Sequence, residues 1–408
     1  MTRVLVVDDS QFIRTVIDNA LTEAGYEVQT ATNGADAVDA VAEYDPDVVT
    51  MDVQMPGVDG IEAVERIMTT NPTVVLMLSA YTERGAEATL DALERGAAGF
   101  VHKPDGSDSR NVAHLADEVV ERVDELADAN VSSLALARVS ATAHATRSER
   151  SSRQVTAATT VSATGSTETI TESQPEPERR SGTRFGVPGN EAEADSDAEL
   201  ATNDAATREF VPNPTIVLGA STGGPKIIER TFERLPIELG AKLVVVQHMP
   251  AGFTDRFAAR LDSRSEYDVR EAGDGDRLRP GEAVIAPGDH HLEVAATVGG
   301  RLRLCLDDGE PRHGVRPAID VTMESAAERV DDPLCGVVLT GMGRDGAAGI
   351  EAISAAGGHT VAQDEATSPV FGIPGQAIRT GHVDDVVPAD GIADALVDVF
   401  SVEGETDD

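Results

Sequence analysis

The sequence predicts two α/β domains, each wound around a mainly parallel sheet and joined by a long flexible linker. Three observations predict it. Short β-branched runs alternate with helix-period segments from Arg3 to about Asp128, and again from Thr215 onward. Between about Ala129 and Val211 any sustained apolar period is lost and Ser, Thr, Ala, Glu and Pro dominate. The length, 408 residues, leaves room for more than one hydrophobic core. The expected boundaries are 1–128 for the first domain, 129–212 for the linker, 213–402 for the second domain and 403–408 for an acidic tail.

In the first domain VLVV, DVVTM, TVVLML and GFVH read as strands. Ile13, Val16, Ile17, Ala20, Leu21 and Ala24 share one face of the first helix, with Ser10 placed to cap it. Val112, Leu115, Val119, Val123 and Leu126 make the same face on the last. The middle stretch is too long to lie inside a compact domain without elements of its own, so it joins domains. Beyond it TIVLGA, KLVVVQHM, AVIAPG, CGVVLTGM and HTVAQDE are strand candidates, with helical patterns near 225–234, 254–262, 317–330, 346–356 and 389–400. HLEVAATV and RLRLCLD flank Gly299 and Gly300 and predict an inserted β-hairpin.

With 72 Asp and Glu against 33 Lys and Arg, the formal charge of −39 repels phosphate backbones and anionic membranes. No nucleic-acid partner is expected. No run reaches the roughly 20 apolar residues of a membrane span, so a soluble protein without membrane insertion is expected. The only lysines are Lys103, Lys226 and Lys242. So large an acidic excess suits a salt-rich cytoplasm, where the Debye length at ~1 M salt is about 3 Å. The opening MTRVLVVDDS places carboxylates where a signal peptide needs an apolar core, which argues against secretion. Cys305 and Cys335 lack metal-type spacing and are expected as buried thiols.

Functional groups in open parallel sheets collect at the carboxyl ends of strands. In the first domain Asp8 and Asp9, Asp52, Ser79 and Lys103 each follow or end a strand candidate. Three carboxylates in one crevice call for a hard cation such as Mg²⁺, with Asp8, Asp9 and Asp52 as its expected ligands. Asp52 could then attack a phosphoryl donor, Lys103 neutralising charge and Ser79 holding the phosphate. The alternative is solvated surface acids. Four coincident strand ends weigh against it. VVDDS, TMDVQMPGVDG, Ser79 and HKP at 102–104 resemble the receiver domain of two-component response regulators, over roughly residues 1–128. That resemblance implies a flavodoxin-like fold, Asp52 as phosphoacceptor, Mg²⁺ at Asp8 and Asp9, and Ser79 and Lys103 as phosphate sensors. It places Phe100 at a switching aromatic position, though a core Phe explains it nearly as well, and makes a cis bond before Pro104 plausible.

In the second domain, Gly219 to Gly223 satisfy G-x-S-x-G, which suits a nucleophile on a sharp strand-to-helix turn. Ser221 or Thr222 could instead simply cap a helix. His248 ends the next strand and could take the Ser221 proton, while Asp345, after CGVVLT, could orient the imidazole. Gly341, Gly343 and Gly346 also form G-x-G-x-x-G, with Asp364 at a ribose-binding distance, so a dinucleotide-binding module is the alternative. Asp345 opposes it by placing negative charge where a pyrophosphate would lie. His290 and His291 are expected as loop histidines. Arg312, His313 and Arg316 form a basic cluster that could meet an acidic surface or remain solvated.

LGASTGGP, VVQHMPAGFT, IAPGDHHLE, GVRPAIDV, GVVLTGMGRDGAAGI and AQDEATSPVFGIPGQAI together resemble the CheB-type protein-glutamate methylesterases of chemotaxis, across nearly all of residues 213–400. The resemblance implies a doubly wound catalytic domain with Ser221 as nucleophile, His248 as base and Asp345 as orienting acid. Amides around Thr222 and Met342 become oxyanion candidates. It further implies methyl-accepting chemoreceptors as substrates, a chemotaxis histidine kinase as phosphodonor, and no cofactor for the esterase. The linker is longer and richer in Ser and Thr than that family pattern.

Overall fold

The computed structural model describes residues 2–80, 83–103, 109–127 and 208–402. The expected linker apart from residues 208–212, the acidic tail and Pro104 lie outside the described residues.

The first domain alternates strand and helix: β1 (Arg3–Val7), α1 (Gln11–Glu23), β2 (Glu27–Ala31), α2 (Gly34–Tyr44), β3 (Val48–Asp52), α3 (Gly60–Thr70), β4 (Val74–Ala80), α4 (Glu83–Glu94), β5 (Gly99–Lys103) and α5 (Ser109–Leu126). The strands form one parallel sheet in the order β2-β1-β3-β4-β5. Strands β1 and β3 are almost wholly buried, as expected where helices cover both faces of a sheet. Ser10 caps α1 by accepting the Ile13 N–H. Of the expected apolar face Ile17 and Leu21 are buried, whereas Ala24, at the C-cap, is exposed. Leu115, Val119, Val123 and Leu126 of α5 are buried as their spacing requires.

The second domain contains β6 (Thr215–Ala220), α6 (Gly224–Arg234), β7 (Lys242–Gln247), α7 (Thr254–Asp262), β8 (Asp268–Glu271), β9 (Arg277–Leu278), β10 (Glu282–Ile285), β11 (His291–Val298), β12 (Arg301–Asp307), α8 (Ile319–Arg329), β13 (Leu334–Val338), α9 (Ala347–Ala355), β14 (His359–Gln363), α10 (Ile373–Arg379), β15 (Asp385–Val387) and α11 (Ile392–Phe400). Seven parallel strands form the sheet β15-β14-β13-β6-β7-β10-β8, and the expected hairpin β11–β12 joins β9 in a small antiparallel sheet. The short strands β8, β9 and β15 escape periodicity because two to four residues carry almost none. Glu209 and Val211 bond to the chain around Phe400 and Val402, so contacts of the second domain extend a few residues before the expected boundary.

Two expectations need correction. Cys305 is only half-buried, since it lies in the outer hairpin, whereas Cys335 sits in the central strand β13 and is buried; both are free thiols. His291 is a buried strand residue and not a loop histidine, its Nδ1 accepting the Ala318 N–H at 3.2 Å. Among the described residues no helix is long and apolar enough to cross a membrane. The first and second domains lie within one compact unit.

Candidate functional site

The sheet order of the first domain puts the ends of β1, β3 and β5 around one crevice. Oxygens of Asp8, Asp9 and Asp52 lie within 4.8 Å of one another. Asp8 and Asp52 are buried and Asp9 is exposed. Lys103 Nζ stands 2.5 Å from Asp8 Oδ2 and 2.8 Å from Asp52 Oδ1. Burial pushes the Asp52 carboxyl up to about 6, against the pull of Lys103 and with the repulsion of Asp8. This oxygen-only donor set, with Asp9 open to solvent, fits a small hard cation such as Mg²⁺. Ser79 is buried next to this crevice, paired in register with His102 on β5.

Phe100 does not sit in the core of its own domain. Its ring stacks on Phe253 of the second domain at 4.9 Å and 14°, and His102 meets both rings edge-on. Immediately before β5, the Ala98 carbonyl accepts the Gly223 N–H at 3.0 Å. Arg260 of α7 reaches Glu229 at 2.6 Å, Asp91 at 3.0 Å and also Glu94, while Arg264 reaches Glu94 at 2.8 Å. These contacts tie α4 and β5 to the second domain.

The second crevice follows from the position of β6 between β7 and β13, where strand order reverses. Ser221 follows β6, His248 follows β7 and Asp345 lies in the loop after β13. Gly341 allows that loop to approach, because a Cβ there would stand 2.7 Å from Ser221 Cβ. Gly223, at φ 80°, makes the turn into α6. His248 Nε2 meets Asp345 Oδ2 at 2.8 Å, which leaves Nδ1 as the ring nitrogen free for the serine. Ser221 and His248 line the same two cavities, of about 350 and 430 Å³, and the second also includes Asp345. Among the described residues no hydrogen bond joins Ser221 Oγ to His248. Burial raises the Asp345 carboxyl, but His248 and the amides of Asp320 and Ile319 outweigh it and hold it below the ordinary range. Neither the Thr222 nor the Met342 N–H is engaged by a protein acceptor among the described residues.

The glycine-rich loop is built around this acid. Asp345 turns its carboxylate onto the amides of Ile319 and Asp320, and Asp364 is used locally, accepting from Thr367 N and Oγ1. That arrangement disfavours the dinucleotide reading. Arg312 is locked in two bonds to Glu324, His313 bonds Asp320 and Arg316 holds two carbonyls, so the basic cluster is largely occupied internally. Sequence reasoning missed Gln247, whose Nε2 donates to the Ser221 carbonyl at 2.9 Å, and Phe253. The first sits directly before His248, a visible signal; the partner of Phe253 is over 150 positions away.

Residues 216–396 match the family described as CheB methylesterase, and residues 4–113 match the response regulator receiver domain. A protein-glutamate methylesterase/protein-glutamine glutaminase of Haloarcula marismortui is 46% identical over 402 residues, covering 98% of each chain. One of Natronomonas pharaonis is 46% identical over 400 residues, again covering 98% of each. The crystal structure of the Thermotoga maritima CheB methylesterase catalytic domain is 43% identical, covers 45% of this chain and 97% of that one, and superposes with a TM-score of 0.44. The 46% identity to these two relatives across 98% of the chain means that it belongs to the CheB methylesterase family, with an N-terminal receiver domain.

Proposed function

We propose that the protein hydrolyses γ-glutamyl methyl esters on chemoreceptors, releasing methanol, and deamidates receptor glutamines, under control of Asp52 phosphorylation. The observation that carries this reading is the 2.8 Å contact between His248 Nε2 and Asp345 Oδ2 beside Ser221 in one cavity. With Nε2–H held by Asp345, His248 Nδ1 takes the proton as Ser221 Oγ attacks the ester carbonyl. The oxyanion forms against the Thr222 and Met342 amides. Methoxide leaves with the proton from His248, and water, activated by the same nitrogen, cleaves the acyl-enzyme to a glutamate carboxylate. A glutamine amide presents the same electrophile and releases ammonia. A cytoplasmic site of action fits a substrate whose modified segments meet a cytoplasmic histidine kinase pathway.

Control follows from β5. Its carboxyl end carries Lys103 against Asp52, and its amino end abuts the nucleophile loop through Ala98 and Gly223. Mg²⁺ held by Asp8, Asp9 and Asp52 would supply charge compensation during phosphoryl transfer. A phosphoryl group on Asp52 redirects Lys103 and Ser79, shifts β5 and weakens the Phe100–Phe253 stack, so the population moves toward an open cleft. The test is methanol release from methylated chemoreceptors with and without a phosphodonor. Wild type should be stimulated, Asp52→Ala should lose only the stimulation, and Ser221→Ala should lose turnover. Full stimulation of Asp52→Ala would refute the control mechanism.

A further inference from the structure

A second buried carboxylate lies beside the triad, and the mechanism above does not use it. Asp320, 1% exposed, is the second residue of α8. Its Oδ1 accepts the N–H groups of Gly346 and Gly349 at 2.8 Å each, at the start of α9. Asp345, just before α9, accepts the N–H groups of Ile319 and Asp320 at 2.7 and 2.9 Å, at the start of α8. The residues at the two N-cap positions, Ala318 and Gly346, give no side-chain bond of their own. The start of each helix is therefore capped by the acid that stands at the start of the other.

Physical chemistry explains why two carboxylates are tolerated here. The first amides of a helix are unpaired donors at the positive end of its dipole, so each anion meets a favourable field. His313 Nε2 covers Asp320 Oδ2 at 2.7 Å and Arg312 stands at 3.6 Å, which offsets the repulsion between the two acids. The backbone consequence matters more. Gly346 directly follows Asp345, so the bond from its N–H to Asp320 fixes the main chain of the acid that holds His248.

We propose that Asp320 is a positioning residue for the catalytic acid, locking the Asp345 loop by this reciprocal capping. The proposal rests on the triad reading. Without Asp320 the Gly346 and Gly349 amides lose their acceptor, the loop relaxes, and the imidazole is no longer held for Ser221. Displacements of about 1 Å at such a position cost roughly 100-fold in rate.

The experiment uses the full-length protein at high salt, with methanol release from methylated chemoreceptors giving kcat and KM. Asp320→Ala should lower kcat about 10- to 100-fold with KM within about twofold. Asp320→Asn keeps an oxygen able to accept both N–H groups and should recover to within about fivefold of wild type. The downfield imidazole N–H resonance of His248, assigned by its absence from Asp345→Ala, should persist in Asp320→Asn and vanish in Asp320→Ala. A folded Asp320→Ala with that resonance unchanged, or with kcat within about threefold of wild type, overturns the proposal. So does an Asp320→Asn as impaired as Asp320→Ala. Should Asp320→Ala fail to fold, Asp320→Ser, too short to reach Gly346 and Gly349, carries the same test. If Asp320→Ala is active while Ser221→Ala and Asp345→Ala are inactive, this proposal alone fails; an active Ser221→Ala removes the triad reading as well.

Discussion

The two crevices solve the same electrostatic problem in opposite ways. Each gathers buried carboxylates beside the carboxyl ends of strands, but in the receiver a side-chain ammonium, that of Lys103, balances Asp8 and Asp52, whereas in the esterase the amides at helix starts balance Asp345 and Asp320. The outcome is visible in the acids themselves. Asp52 is pushed up to about 6 by burial, while Asp345, though also penalised by burial, is held below the ordinary carboxylate range by His248 and its two amides. A side-chain cation can be drawn away by a phosphoryl group and a helix terminus cannot. On the proposed function, one site changes state and the other stays arranged before substrate arrives.

The comparison breaks first if the esterase crevice is not the reacting one. Ser221→Ala should cut methanol release by at least about 10⁴-fold while leaving phosphorylation of Asp52, followed with a labelled phosphodonor, unaffected. Next in size, Arg260→Ala should loosen the interface, because its bonds across to Asp91 and Glu94 of α4 are lost, while Arg264 still reaches Glu94 and the buried Glu229. Basal turnover without phosphodonor should rise about tenfold, corresponding to roughly 1–2 kcal/mol of lost closure. An unchanged basal rate would remove this contact from the closed state.

The opposed acids also predict opposed pH signatures, read as thermal unfolding without Mg²⁺. A carboxyl raised in the folded state costs stability once it is charged, so Asp52→Asn should stabilise by about 1–3 kcal/mol at pH 8, an effect that fades as pH falls through about 6 toward 4. Asp345, depressed in the folded state, contributes stability above the ordinary carboxylate value and loses it only as pH falls through its lower folded value. Asp345→Asn should therefore destabilise throughout pH 5–8. The same sign for both variants would dissolve the contrast. The smallest effect concerns the metal: Mg²⁺ should raise the unfolding temperature by a few degrees at pH 8 and by less at pH 5, where a protonated Asp52 no longer serves as a ligand.

Much of this was readable from one dimension. Alternating β-branched runs and helical periods specified two parallel-sheet domains because each pattern answers to burial on one or two faces, a local property of the chain. The acids, the serine, the histidine and Lys103 announced themselves by following strands, where this fold class collects its chemistry. Phe100 shows where such reading stops. As a residue in an apolar run it passes for core, and only its stacking on Phe253 reveals an interdomain contact. Asp320 likewise sat in a quoted motif without a role, since a cap supplied from another helix leaves no mark in either helix's own sequence.

The chain itself thus determined the kinds of element, the candidate chemistry and the −39 charge that suits it to salt. Tertiary structure decided which acids became poised and which became fixed. That choice depends on burial and on the donors aimed at each oxygen, and those donors come from segments that meet only once the sheets have formed.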